Sequence, residues 1–315
     1  MTQASGVNAK LAFVKEATYG TAPTTGFLLP FNSSSVAPSR AVNTPATITG
    51  TRNPVVPFEG NTIVQGTVVV PVDYAALWYW LDATFATIAT TGSDPYTHEF
   101  KYAAADTQPS FSMEHQFLDL DTPEYSEFNG CKVSSWKMDI GGDGELTTSF
   151  DIIGSTYTGS GSKMLSVSET AISCGRLDNF EAVITEGGGA FSNGTAMSFN
   201  VDFGLTPQYV IGGSGTAGSI SEGMISATGT LTALFEDDSL ITKAVASTES
   251  SLKVVITTGS YSLEVEFAEL QYALAAPPID GPQGLLQTFN WTAFYTDGSE
   301  ASVVLAELIN ADAHA

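Results

Sequence analysis

The stretch GTVVVPVDYAALWYWL, residues 66–81, runs from a β-branched strand through Pro71 straight into an aromatic-rich helical pattern. A plainer version, GTLTALFEDDSLITKAV, occupies 229–245, with Gly229 over Gly66. One strand-into-helix passage is ordinary, but two at matching places suggest a duplicated unit. Other elements recur in the same order. SYSLEVEF (260–267) repeats SFSMEHQF (110–117) 150 residues on, and FNWTAFYTDGSE echoes SSWKMDIGGDGE, with Asp297-Gly298 over Asp143-Gly144 in a turn. The Gly/Ser-rich stretch 155–163 reads as a flexible linker, so two domains are expected, 1–160 and 161–315.

Within each half the patterns are those of strands bounded by Gly, Pro and Asn turns. KLAFVKEATYG (10–20) reads as an opening strand, and 21–40 as a long loop rich in Pro, Ser and Thr. ATITGTR (46–52) and NTIVQGTVVVPV (61–72) read as strands. A helix is expected over 73–86, with Asp73 as N-cap. Tyr74, Leu77, Trp78, Leu81 and Phe85 then form its apolar face. Leu240 and Ile241 fall over Leu77 and Trp78 in the second copy. In SYSLEVEF, Tyr261, Leu263, Val265 and Phe267 share one face, and Ser262, Glu264 and Glu266 the other. In SFSMEHQF, Glu114 and Gln116 take the outward register, so both copies are expected to turn acid to water.

Charge narrows the partners. Thirty-four acidic residues oppose eleven basic ones, a formal net charge of −23, and no Lys or Arg follows Lys253. Such a field repels nucleic acid, so a nucleic-acid-gripping module is disfavoured. The N-terminus has no signal-peptide pattern, and no apolar run approaches the ~20 residues of a membrane span. The chain reads as soluble and cytoplasmically made. Cys131 and Cys174 are too few for a disulfide scaffold; free thiols and a single bridge both stay open.

Reaction chemistry is not visible. His98, His115 and His314 have no metal-ligand spacing, and His115 lies in the apolar register of its strand as a packed or interface residue. The glycine clusters lack the Gly-Lys-Ser/Thr ending of a phosphate loop. Glu236, Asp237 and Asp238 are explained by the start of a helix. DLDTPE (119–124) lacks the glycine and closing Glu of a calcium loop. No catalytic residue, cofactor or metal is expected.

GVNAKLAFVKEATYGTAP, GNTIVQGTVVVPVDYAALWYWL, SDPYTHEFKYAAADTQPSFSMEHQFLD and FNGCKVSSWKMDIGGDGELTTSFDIIG together resemble, over residues 6–157, the tail tube proteins of long-tailed bacteriophages. The resemblance implies a mainly β fold of two tandem β-sandwich or barrel-like units, each with one flanking α-helix. It implies stacked homo-oligomeric rings, trimers with pseudo-sixfold symmetry or true hexamers with a decorating second half. Their inner strands would join into one sheet around a bore that passes phage DNA without specific binding. Partners would be further copies and the tail terminator, tape measure and distal tail proteins. The protein would assemble in the host cytoplasm and reside in the virion, without a membrane. On this basis Glu114, Glu264 and Glu266 are expected to face the bore, residues 24–60 to bridge rings or protomers, and helix 73–86 to pack outside the sheet. Capsid-decoration and adhesin-like β proteins are the alternatives.

Overall fold

The computed structural model describes residues 3–102, 107–160, 162–163, 165–167, 172–279, 281–296 and 302–314. It is mainly β, with open antiparallel sheets and no closed barrel among the described residues. Two-residue strands aside, the first half runs β1 (Ala9–Lys15), β2 (Thr25–Leu29), β3 (Ala37–Asn43), β4 (Phe58–Pro71), α1 (Leu77–Thr84), β5 (Thr87–Gly92), β6 (Tyr96–Lys101), β7 (Phe111–Phe117), β8 (Glu124–Ile140), β9 (Thr147–Gly154) and β10 (Thr156–Ser160). The second half continues with β11 (Ala182–Glu186), β12 (Gly194–Asp202), β13 (Thr206–Tyr209), β14 (Ala217–Ser221), β15 (Ser226–Leu234), α2 (Ser239–Ala246), β16 (Ser250–Thr258), β17 (Tyr261–Tyr272), β18 (Leu286–Ala293) and β19 (Leu305–Asn310).

Apart from the β13–β14 hairpin, whose strands pair with each other, the strands form three sets of pairings. One sheet is β2-β1-β7-β8-β10, using the N-terminal half of β8. A second is β11-β16-β17-β19-β6-β5, in which the β5–β6 hairpin of the first half completes an edge of the second. The third, β3-β4-β9-β8-β12-β15-β18, crosses from one half to the other. Five antiparallel pairings recur in both halves: β1–β7 and β11–β16, β7–β8 and β16–β17, β8–β9 and β17–β18, β9–β4 and β18–β15, β4–β3 and β15–β12. Each helix follows the same strand of its set, α1 after β4 and α2 after β15. The pairings correct two of the sequence matches: SYSLEVEF lies on β17, whose counterpart is β8 and not the SFSMEHQF strand β7, and FNWTA lies on β18, whose counterpart is β9 and not β8.

One contiguous core runs through both halves, filled by fully buried aromatics that include Trp80, Trp136, Phe150, Phe267 and Trp291. Alternation places them: along β18, Phe289, Trp291 and Ala293 point inwards while Thr288, Asn290 and Thr292 point out. A chain of ring contacts crosses from the first half to the second, Trp136 to Phe199 (4.9 Å), Phe199 to Phe267 (5.5 Å) and Phe267 to Trp291 (4.7 Å).

Several local expectations change. The 21–40 segment is not a loop throughout, because β2 and the start of β3 take edge positions beside β1 and β4. Both faces of β3 are open to solvent, so its side chains carry no periodicity to read. Residues 46–52 form no strand, since the tip of the β3–β4 hairpin has nothing to pair with. The helix is shorter than 73–86. Asp73 Oδ1 accepts the amides of Ala75 (2.7 Å) and Ala76 (2.5 Å), and Tyr74 N donates to Gly175 O (2.9 Å). That turn holds 73–76 out of the helix. Residues 156–160 are strand β10 on β8 and not flexible linker; the Asp297-Gly298 turn lies outside the described residues.

Candidate assembly surface

The two halves are joined strand to strand. β8 meets β12 in six antiparallel pairs, from Ile140↔Met197 to Ser135↔Asp202. The strand beside each joining position needs a glycine. A Cβ on Gly66 would stand 2.5 Å from Ser35 O, and one on Gly229 would stand 2.1 Å from Ser198 O and 2.3 Å from the Trp291 ring. Both glycines therefore let a neighbouring backbone approach closely at the matched strands β4 and β15. The sequence match of Gly229 to Gly66 reflects this shared constraint.

The outward face of the joined sheet is polar and mostly uncharged. Lys137, Asp139, Ser198, Asn200, Thr228, Thr230, Asn290 and Thr292 line a broad shallow concavity on it. Hydroxyl pairs bridge its strands, Ser198 to Thr230 and Thr232 to Thr288, each at 2.8 Å. Lys137 is tethered to Asp151. Burial works against the Asp151 charge, yet hydrogen bonds from Lys137, Thr67 and Ser135 hold its carboxyl below the usual range. This cation is thereby neutralised within the sheet.

The carboxylates singled out from sequence lie elsewhere. Glu114 does not face water: it is fully buried. Its outward register on β7 is as expected, but that face is covered by Leu165 with Ala12, Val14 and Leu28. Glu114 accepts from Gln116 Nε2 (2.7 Å) and Leu165 N (3.2 Å). Opposite it, the carboxyl of Glu127 is raised by burial and by the Glu114 and Glu16 charges. Glu264 and Glu266 are partly exposed on β17 and share Lys253, at 2.6 and 3.0 Å. They belong to the β16-β17-β19 sheet, not to the sheet that joins the halves. Glu307 lies across from Glu264, and burial and the charges of Glu264 and Glu99 raise its carboxyl.

Of the helix residues, Leu77, Leu81 and Leu240 are buried, and Tyr74, Trp78 and Ile241 are half-buried against the core. Trp80, outside the expected face, is the central anchor, stacked on Phe150 (5.1 Å) and against Phe13 (5.0 Å). A helix enclosed by β1, β7 and β9 buries more than one stripe, and a single-face pattern cannot reveal that. The histidines serve packing. His115 bonds Ser34 Oγ (2.9 Å), and burial lowers its pKa to about 4. His98 is buried beside Thr90, Asn310 and the Asp312 carbonyl. His314 stacks on Trp78 at 4.1 Å, tying the C-terminal residues to α1. Both cysteines are free thiols. No group of metal-ligating side chains occurs among the described residues, and no described helix is long and apolar enough to cross a membrane.

The two ends of the joined sheet differ. At one, the β3–β4 tip, residues 44–57, projects beyond the sheet with Ile48 and Val56 almost wholly exposed. The β13–β14 hairpin packs beside its base, through Thr62 N to Gly215 O (2.8 Å) and Tyr209 OH to Thr62 O (3.1 Å). That hairpin also clamps the halves together: Lys132 pairs with Glu222 at 2.6 Å. At the other end stand α1 and α2. A family model described as phage tail tube protein matches residues 6–293. No curated protein matches.

Proposed function

The chain belongs to the phage tail tube protein family, a structural family and not a family of enzymes, and from that premise we propose that it carries two copies of one tube unit and closes into a three-chain ring of six units. One observation carries the reading. β8 of the first half pairs with β12 of the second, and β12 holds the place in its half that β3 holds in the first. The joint is head to tail, so repeating it adds unit to unit around a ring. A free β3 edge then meets the end of β17 and the residues after it in the next copy. Unpaired edges of this kind call for a partner.

On this reading the polar concave face of the joined sheet lines the bore. Ser198, Asn200, Thr228, Thr230 and Asn290 offer passing DNA hydroxyls and amides, and Asp139, Asp151 and Asp202 outweigh Lys137 in charge. With Lys137 paired to Asp151 and no unpaired cation among the described residues of the sheet, the face holds phosphate weakly. Glu264 and Glu266 then sit on the outer layer, and Glu114 inside it. Of residues 24–60, expected to bridge rings or protomers, the exposed tip 44–57 is the part that reaches towards a neighbouring ring, since β2 and β3 pair within the chain. Assembly takes place in the host cytoplasm, with the tail terminator, tape measure and distal tail proteins as partners.

Electron microscopy of the purified chain tests the reading. Rings with a central hole, threefold in averaged images and nearly sixfold in outline, are expected. Monodisperse monomers at high concentration, or rings built of six whole chains, refute it.

A further inference from the structure

We propose that the exposed edge at Leu234–Asp238 is capped by the 44–57 tip of a second copy of this chain, joined end to end; the inference rests on the tube reading and specifies its stacking contact. The two halves differ at this place. Val72 N donates to Leu146 O (3.0 Å) in the first half, and Phe235 N donates to Leu285 O (3.0 Å) at the matching position of the second. Val72 is fully buried. Residues 172–177 cross over it: Leu177 N donates to Val72 O (3.0 Å), Leu177 is buried, and Arg176 pairs with Glu145 at 3.1 Å.

The second half has no such cover among its described residues. Phe235 is 37% exposed, Leu234 45% and Leu286 48%. A small cleft of about 20 Å³ lies beside Leu234 and Phe235, walled by Phe191, Leu240 and Phe289. Glu236, Asp237 and Asp238 fringe it, all exposed. The edge therefore wants an apolar segment with a cation.

The tip is such a segment. Ile48 is 97% and Val56 85% exposed, and Arg52 is the sole charged residue from 44 to 57. Ile48 and Arg52 have the spacing of Ile172 and Arg176 in the segment that covers the first half. The tip cannot reach its own edge. β4 leads away from it for fourteen residues, about 46 Å at ~3.3 Å per residue, and β15 ends in Leu234 at the far, helix-bearing end of the same sheet. Only a second copy placed end to end brings the two together, and apolar surface and opposite charge then meet.

Arg52→Glu, Glu236→Lys and the Arg52→Glu/Glu236→Lys pair, each checked by circular dichroism, separate the outcomes in electron micrographs. Loss of stacks from Arg52→Glu with single rings retained, and recovery of stacks in the charge-swapped pair, is expected. Normal stacks from Arg52→Glu overturn the contact and leave the tube standing. Single rings from both Arg52→Glu and the swapped pair overturn the Leu234–Asp238 edge as the acceptor. Wild-type chain that forms no rings refutes the tube reading, and the contact falls with it.

Discussion

Gly229→Ala is the sharpest perturbation of the joined sheet. The added Cβ would stand 2.1 Å from Ser198 O on β12 and 2.3 Å from the Trp291 ring on β18. The first is backbone, and the second is a fully enclosed indole, so neither can swing aside as a flexible side chain would. Relief requires opening two strand pairings that sit ~4.8 Å apart. Overpacking of a close-packed core costs about 1–3 kcal/mol; with backbone on one side the expectation is the upper end, about 3 kcal/mol. For a chain of this size that lowers Tm by roughly 4–5 °C. Gly66→Ala, 2.5 Å from Ser35 O and Val36 Cα, should behave alike. Gly144→Ala is the control, since a Cβ there meets nothing within 4 Å, and it should stay within about 0.5 kcal/mol. Urea unfolding of the unassembled chain, followed by tryptophan fluorescence, reads all three. A loss below 1 kcal/mol for Gly229→Ala would refute the described packing of β12, β15 and β18.

Burial lifts the Asp73 carboxyl to about 6, against the pull of the turn amides. Because the folded chain holds this proton more tightly than the unfolded one, its contribution is most favourable below pH ~4 and is lost as pH rises through 6, costing about 3 kcal/mol above that. Asp73→Asn keeps the amide bonds and should remove that slope, so the variant's gain over wild type between pH 4.5 and 7.5 in urea midpoints checks it. Glu222→Ala strands Lys132, whose side chain is 7% exposed, and should destabilise by about 3 kcal/mol; Lys132→Met with Glu222→Leu should recover most of it in the same assay. Thr230→Arg should slow genome delivery in an infectivity measurement, whereas Glu264→Lys with Glu266→Lys should not. The reverse ranking would place the outer sheet at the bore.

The alternation in SYSLEVEF, the helix after each GTVVV-like strand and the matched glycines were legible because each reports a local rule. Leu263, Val265 and Phe267 are buried as their period predicts. What was not legible depends on a third layer. Glu114 obeys the alternation of its strand, yet Leu165, more than forty residues further along, closes over that face. Trp80 falls off the apolar stripe because α1 is enclosed on several sides. The polar sheet face is not legible because Ser198, Asn200 and Thr230 look like any solvent-facing strand until β8 stands beside β12. Net charge singles out the carboxylates, but which sheet joins the halves is a matter of pairing, and pairing between distant strands leaves no local trace.

Fusing two units in one chain permits their edges to differ, and the proposed ring uses that freedom. Inside the chain, β8 offers β12 a regular strand, Ser135 to Ile140, backed by Trp136 and Met138. The corresponding stretch after β17 reads Leu-Ala-Ala-Pro-Pro-Ile, 274–279, with Leu274 and Ile279 exposed. Pro277 and Pro278 have no N–H to donate, and Pro38 removes one from β3, so both free edges are poor templates for indiscriminate strand addition. Tethering supplies the first joint at high effective concentration; the joint between chains must form from weaker edges. In the proposed ring, association is then favoured only where several such contacts close at once, as when the last copy completes it.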